Sequence, residues 1–239
     1  MLGVTSDGDV VVLELQREDR RNALNLELCR AIHQAADEAV GAGARVLVIT
    51  GKGTAFCSGA DLGGVYGPEF LEALNGMLHH LTKLPIPLIA AVNGPAIGAG
   101  TQLAIACDLR VADETAKFAV PTARNGMAVD AWTIRTVSQL AGTGPAHRLM
   151  LAADTLDRHE ALHHGLADRA GYVDDAIAWA HVIASLASLA LCHDKLVLNS
   201  SPDDDQAIEG SFAAVWASQD VREAAQARAE KRDPVFEGR

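Results

Sequence analysis

An α/β core followed by a helical region is the fold class this sequence predicts, and three observations predict it. Short apolar, strand-like runs alternate with helix-period stretches through the first half. Helix-like stretches dominate the second half, and two small-residue turns each follow a strand-like run. Residues 9–15 alternate in a β-branched way and read as a strand. Residues 22–40 carry Leu24, Leu28, Ile32 and Ala35 on one helical face. ARVLVIT (44–50) reads as a buried strand, followed by the turn GKGTAFCSGADLGG. Residues 69–81 read as a helix stopped by Pro85 and Pro87, and 87–92 as a further strand. A small-residue helix over 98–107 is entered through the turn 94–100, and short strands follow at 109–112 and 117–120. Helices are expected over 132–140, 146–152, 158–164, 176–190 and 206–232. The division this implies is a core over 1–190 and a helical region over 191–239, in one structural unit. SSPDDD (200–205) is the one linker-like stretch, a solvated loop and helix cap.

Composition narrows the function classes. Apolar residues make up 49% of the 239 and charged residues 21%, a globular balance that disfavours disorder. A formal net charge of −11 repels nucleic acid and anionic membranes, whose binding needs clustered Lys and Arg. The apolar run 84–105 holds Pro85, Pro87, Asn93, Pro95 and Gln102, which argue against a membrane span. The first residues carry no basic stretch before an apolar one, so no signal peptide is expected. Cys29, Cys57, Cys107 and Cys192 fit no metal spacing and are expected as reduced thiols in the cytosol.

The two turns carry the chemistry. AFCSGADL and IGAGTQLAIACD each combine a strand, a tight turn and a helix start. Small residues let a ligand approach the backbone closely, and the first amides of a helix have no internal acceptor. Two converging N–H groups make a site for a developing oxyanion. Ordinary α/β turns would look the same by spacing alone.

The residues around these turns resemble the crotonase superfamily, the enoyl-CoA hydratase/isomerase proteins, over almost the full length. The matching segments stand in family order: RRNALN (20–25), ITGKGTAFCSGADL (49–62), PIPLIAAVNGPAIGAGTQLAIACDLRVA (85–112), AKFAVP (116–121) and EKRDPVFEG (230–238). The resemblance implies repeated ββα units with a C-terminal helical region that builds homotrimers, often paired as hexamers. It also implies a coenzyme A thioester ligand, with no other cofactor and no metal. Its oxyanion hole maps to the amides of Ala60 and Ala99, the second more often glycine in the family. The adenine end of the ligand is expected against Ala23, Ala60, Asp61 and Leu62. Arg21, with Arg20 as a second candidate, is expected at its phosphates, and Lys231 or Arg232 is expected to add charge, from this or a neighbouring subunit.

Two positions depart from the family pattern. Hydratases of this superfamily place one glutamate in a GGGxEL pattern and a second after FxxP, on opposite sides of one water. Here the segments read GAGTQL and FAVPT, so Gln102 and Thr122 stand at those positions. A Gln amide does not titrate, and a Thr hydroxyl is no base without a base of its own. One acid remains nearby. NGMAVDAWT places Asp130 in a GxxxD pattern like that of dienoyl-CoA isomerases, where the aspartate moves a proton along the acyl chain. Asp130 could do so, or could hydrogen-bond the backbone beside the acyl pocket. Trp132 could wall that pocket or pack in the core.

HEALH (159–163) matches a zinc pattern on a helix but has no third ligand. The doublets His79–His80 and His163–His164 read as helix residues of which at most one per pair faces the core. Cys57 reads as a small packed residue. The expectation is therefore a cytoplasmic acyl-CoA-binding protein of fatty-acid or lipid metabolism, with little or no hydratase activity, whose partners could include fatty-acid synthesis or oxidation enzymes. The alternatives are an active hydratase or isomerase using Asp130, and a ligand-free scaffold trimer.

Overall fold

A computed structural model describes residues 1–61, 63, 67–200 and 204–239. Leu62, expected at the adenine, lies outside the described residues. The chain opens with β1 (Leu2–Asp7) and β2 (Val10–Leu15), then α1 (Leu26–Gly41), β3 (Val46–Gly51), α2 (Pro68–Lys83), β4 (Leu88–Val92), β5 (Pro95–Ile97) and α3 (Ala99–Ala106). It continues through β6 (Leu109–Ala112), β7 (Lys117–Ala119), α4 (Ala131–Ala141), α5 (Thr143–Leu151), β8 (Thr155–Asp157), α6 (Arg158–His163) and β9 (Arg169–Ala170). Four helices close it: α7 (Val173–Ala184), α8 (Ser188–Leu198), α9 (Asp205–Ala217) and α10 (Gln219–Glu230).

The main sheet has six strands in the order β1-β2-β3-β4-β6-β9, parallel except for the β1–β2 hairpin. Its continuous apolar strands follow from burial on both faces. Val10, Val12, Val46, Val48 and Ile89 pack with Ala176, Ala180 and Ile183 of α7. Their neighbours Leu13, Leu47 and Ile49 face the larger core formed with α1, α2 and α3. A second sheet, β5-β7-β8, starts where the chain leaves β4 through Asn93 and Gly94. Asn93 holds that corner by donating Nδ2 to the carbonyls of Gly51 and Gly53, at 2.5 and 3.2 Å.

Each major element expected from periodicity is present, with three corrections. The helix expected from residue 22 starts at Leu26, so Leu24 is no part of its apolar face and instead forms a bridge with Ala60. The helix expected over 176–190 is two, α7 and α8, which meet at 110°. The helix expected over 206–232 breaks at Ser218, whose extended backbone (φ −68°, ψ 159°) separates α9 from α10. The division at 190 runs through α8, which is fastened to the core by Lys195. Its Nζ donates to Ile86 O at 2.9 Å and Asp108 Oδ2 at 2.8 Å. Among the described residues, no single helix is long and apolar enough to cross a membrane.

Candidate functional site

The two turns come together as the sequence leads one to expect, and the backbone does the joining. Cys57 pairs in parallel with Ala96, and Leu24 with Ala60. Cys57 N donates to Pro95 O at 3.1 Å, and Ile97 N to Cys57 O at 2.9 Å. On the other side, Leu24 N donates to Gly59 O at 2.8 Å and Asp61 N to Leu24 O at 2.7 Å. Successive amides of an extended chain point to opposite sides. With Gly59 O and Asp61 N committed to Leu24, the Ala60 N–H points away from that pairing, and it has no backbone acceptor among the described residues. Ala99 is the first residue of α3, and its N–H likewise lacks an acceptor.

Glycine is required where the turns touch. Gly59 has φ +109°, and a Cβ there would lie 2.9 Å from Ile97 O. A Cβ on Gly100 would collide with the carbonyl of Cys57. These approaches set the N-terminus of α3 directly beside the Gly59 turn.

A cleft of about 710 Å³ opens over the two amides. Its lining includes Ala23, Ala60, Asp61, Ala99, Gln102, Thr122 and Asp130, together with Arg20 and Arg21. Thus most sequence-predicted site residues meet in one place. Trp132 does not line the cleft. It packs against the core and meets the His79 ring edge-on at 5.3 Å. Lys231 lies outside the cleft of its own chain, in a left-handed conformation (φ +56°) at the end of α10. Arg232 is paired with Glu223 and Glu230.

A hydrogen-bonded chain runs along the cleft wall. Gln102, 5% exposed, donates Nε2 to Thr133 Oγ1 at 2.8 Å. Thr133 Oγ1 donates in turn to Asp130 Oδ1 at 2.5 Å. The same oxygen accepts the Thr133 N–H at 3.1 Å, so Asp130 is the N-cap of α4. Asp130 Oδ2 lies 3.5 Å from His79 Nε2. Thr122 sits in a 3-10 turn over Pro121–Asn125, its carbonyl accepting from Met127 N at 3.0 Å.

Several residues that line or brace the cleft carry no signal that periodicity or motif reading would single out. Arg17 donates Nη2 to Asp61 Oδ2 at 3.0 Å and Nη1 to Ala23 O at 2.5 Å. That bond holds the Asp61 carboxyl below its usual range. Asn22, fully buried at φ +58°, accepts from Arg17 N and donates to the carbonyls of Lys52 and Ala55. Phe70 and Leu74 of α2 also line the cleft, and their apolar spacing was legible only as core. Burial pushes the Cys57 thiol up to about 12, in keeping with a packed residue.

Parallel βα units, a helix-rich C-terminus and two facing turns over a cleft define the crotonase class of fold. The model of the enoyl-CoA hydratase/isomerase family matches residues 5–239, and the chain belongs to that family. A protein of Mycobacterium tuberculosis named "Probable enoyl-CoA hydratase echA6" is 47% identical over 246 residues, covering 100% of both chains. Its Mycobacterium leprae namesake is 44% identical over 250 residues, again over 100% of both. Among solved structures, the enoyl-CoA hydratase of Bacillus anthracis superposes with a TM-score of 0.91 at 29% identity, covering 100% of this chain and 99% of that one.

Proposed function

We propose that this chain binds an acyl-CoA thioester with its carbonyl oxygen on the amides of Ala60 and Ala99, and that it has little hydratase activity. The observation that carries the reading is the pair of acceptor-free amides at two interlocked turns in one cleft, beside a Gln102 side chain committed to Thr133. Arg20 and Arg21 in the cleft lining suit the anionic end of such a ligand, and Ala23 and Asp61 the adenine end. Lys231 would reach the ligand only from a neighbouring copy. Homotrimers or hexamers are part of the same reading, supported by the exposed Leu198, Phe212 and Trp216 in the C-terminal helices. So is a role in fatty-acid or lipid metabolism in the cytoplasm.

Losing both general acid–base groups removes roughly 10²–10⁴-fold of rate for each, which is the basis for assigning binding over hydration. A second reading, proton transfer by Asp130, has support from its place on the cleft wall. Its Oδ1 is, however, taken by the α4 cap and by Thr133. Calorimetric titration with a saturated long-chain acyl-CoA tests the binding claim. Saturable heat and a ligand-dependent rise in melting temperature are expected. Absence of both would leave the scaffold reading.

A further inference from the structure

We propose that His33, Asp37 and His80 form a site for one divalent transition-metal ion, best matched to zinc, on the face where α1 packs against α2. His33 and Asp37 stand one turn apart on α1 and so share a face. His80 reaches them from α2, its Nε2 2.7 Å from Asp37 Oδ1. His33 Nε2 lies 3.7 Å from Asp37 Oδ2, and the ligating atoms of all three residues lie within 4.8 Å of one another.

Two imidazoles and one carboxylate form a donor set suited to zinc, copper or nickel and poorly suited to calcium or magnesium. Three protein ligands leave a fourth position for water. Zinc bonds of ~2.0–2.1 Å put tetrahedral ligand atoms roughly 3.4 Å apart, between the two separations found here. The ion takes the place of the hydrogen shared by His80 and Asp37. A metal lies in the plane of its imidazole, whereas the His33 and His80 rings are stacked at 3.9 Å and 8°. Entry of the ion therefore turns one ring about its Cβ–Cγ bond. The His33 side chain, 41% exposed against 28% for His80, has the freedom to do so. The adjoining groove is lined by Glu38, Glu69 and Glu72 with one cation, Arg30, a field that favours a cation.

HEALH on α6 is the weaker site. Its His159 and His163 rings are 6.5 Å apart, and Glu160 is occupied by Arg148 and by the cap of its own helix. An ion at His80 would instead brace α2, whose Phe70 and Leu74 line the acyl cleft.

The test is zinc titration of chelator-treated full-length protein by calorimetry, repeated with cobalt to read tetrahedral d–d absorption. One ion per chain is expected, with affinity reduced at least tenfold in His80→Gln and in Asp37→Asn and unchanged in His159→Gln. Zinc should raise the melting temperature of the wild type and not of His80→Gln, with circular dichroism showing that the variants fold. No zinc binding by the wild type, equal binding by His80→Gln and Asp37→Asn, or loss of binding in His159→Gln would overturn the proposal.

Discussion

At the scale of single residues, the side-chain amide of Gln102 decides what the cleft wall can be. It donates to Thr133, which donates to Asp130, so each group in the series has its partner fixed. A carboxylate at 102 cannot donate to Thr133 Oγ1, and it would add a second negative charge near Asp130. Like charges raise carboxyl pKa values, and an orphaned buried group costs about 1–3 kcal/mol. Gln102→Glu alone should therefore destabilise the fold by about that amount in urea denaturation. Combined with Thr122→Glu, it should raise hydration of a short enoyl-CoA by ~10²-fold or more over the wild type. Unchanged turnover in the double variant would mean that positions 102 and 122 do not set the activity. The identities of Gln102 and Thr122 were plain in the sequence. The bonding that commits Gln102 was not, because Thr133 lies 31 residues away and joins it only in the folded chain.

At the scale of elements, the main strands and helices were legible from burial period. β2 and β3 are buried on both faces, and α1 and α2 each show one apolar stripe. β1 was not legible, because an antiparallel edge strand with mostly exposed residues has no apolar alternation. The strands β5, β8 and β9 are only two or three residues long and lie against turns or helix starts, so no strand period registers in them. The helix breaks were missed because helix-forming residues run straight through them, while tertiary docking imposes the bends. The site's turns were legible as small-residue motifs, but their pairing is long-range. Gly100→Ala tests that pairing. Its methyl would force α3 off the Cys57 carbonyl. Overpacking of this kind typically costs ~1–3 kcal/mol. Acyl-CoA affinity should fall with stability, and a variant keeping full affinity and stability would show that close approach is not needed.

At the scale of the whole molecule, the C-terminal tail folds back on α10 through ion pairs. Arg232 bonds both oxygens of Glu223, at 2.5 and 3.0 Å, and Val235 N donates to the same carboxylate. The Arg232 bond, with help from Val235, lowers the Glu223 carboxyl to about 2 from an ordinary 4.5. A carboxyl depressed in the folded state stabilises the fold above its unfolded value and loses that contribution as pH falls through the folded one. The tail should thus hold above pH 4.5 and release as pH drops toward 2. Melting curves of wild type and Glu223→Gln should differ near neutrality and converge in that window. A constant difference would show that Glu223 does not latch the tail. Asp220, buried on the same helix, accepts the amides of Glu237 and Gly238 and secures the last residues.

In the cleft, the proposed carbonyl clamp on Ala60 and Ala99 lies with Gln102 and Thr122, neither of them a glutamate. The steady-state rate with saturating enoyl-CoA, followed for both hydration and double-bond migration, tests this most directly. Turnover at least ~10²-fold below the roughly 1–10³ s⁻¹ of ordinary enzymes is expected. Turnover within that range for either reaction would contradict it.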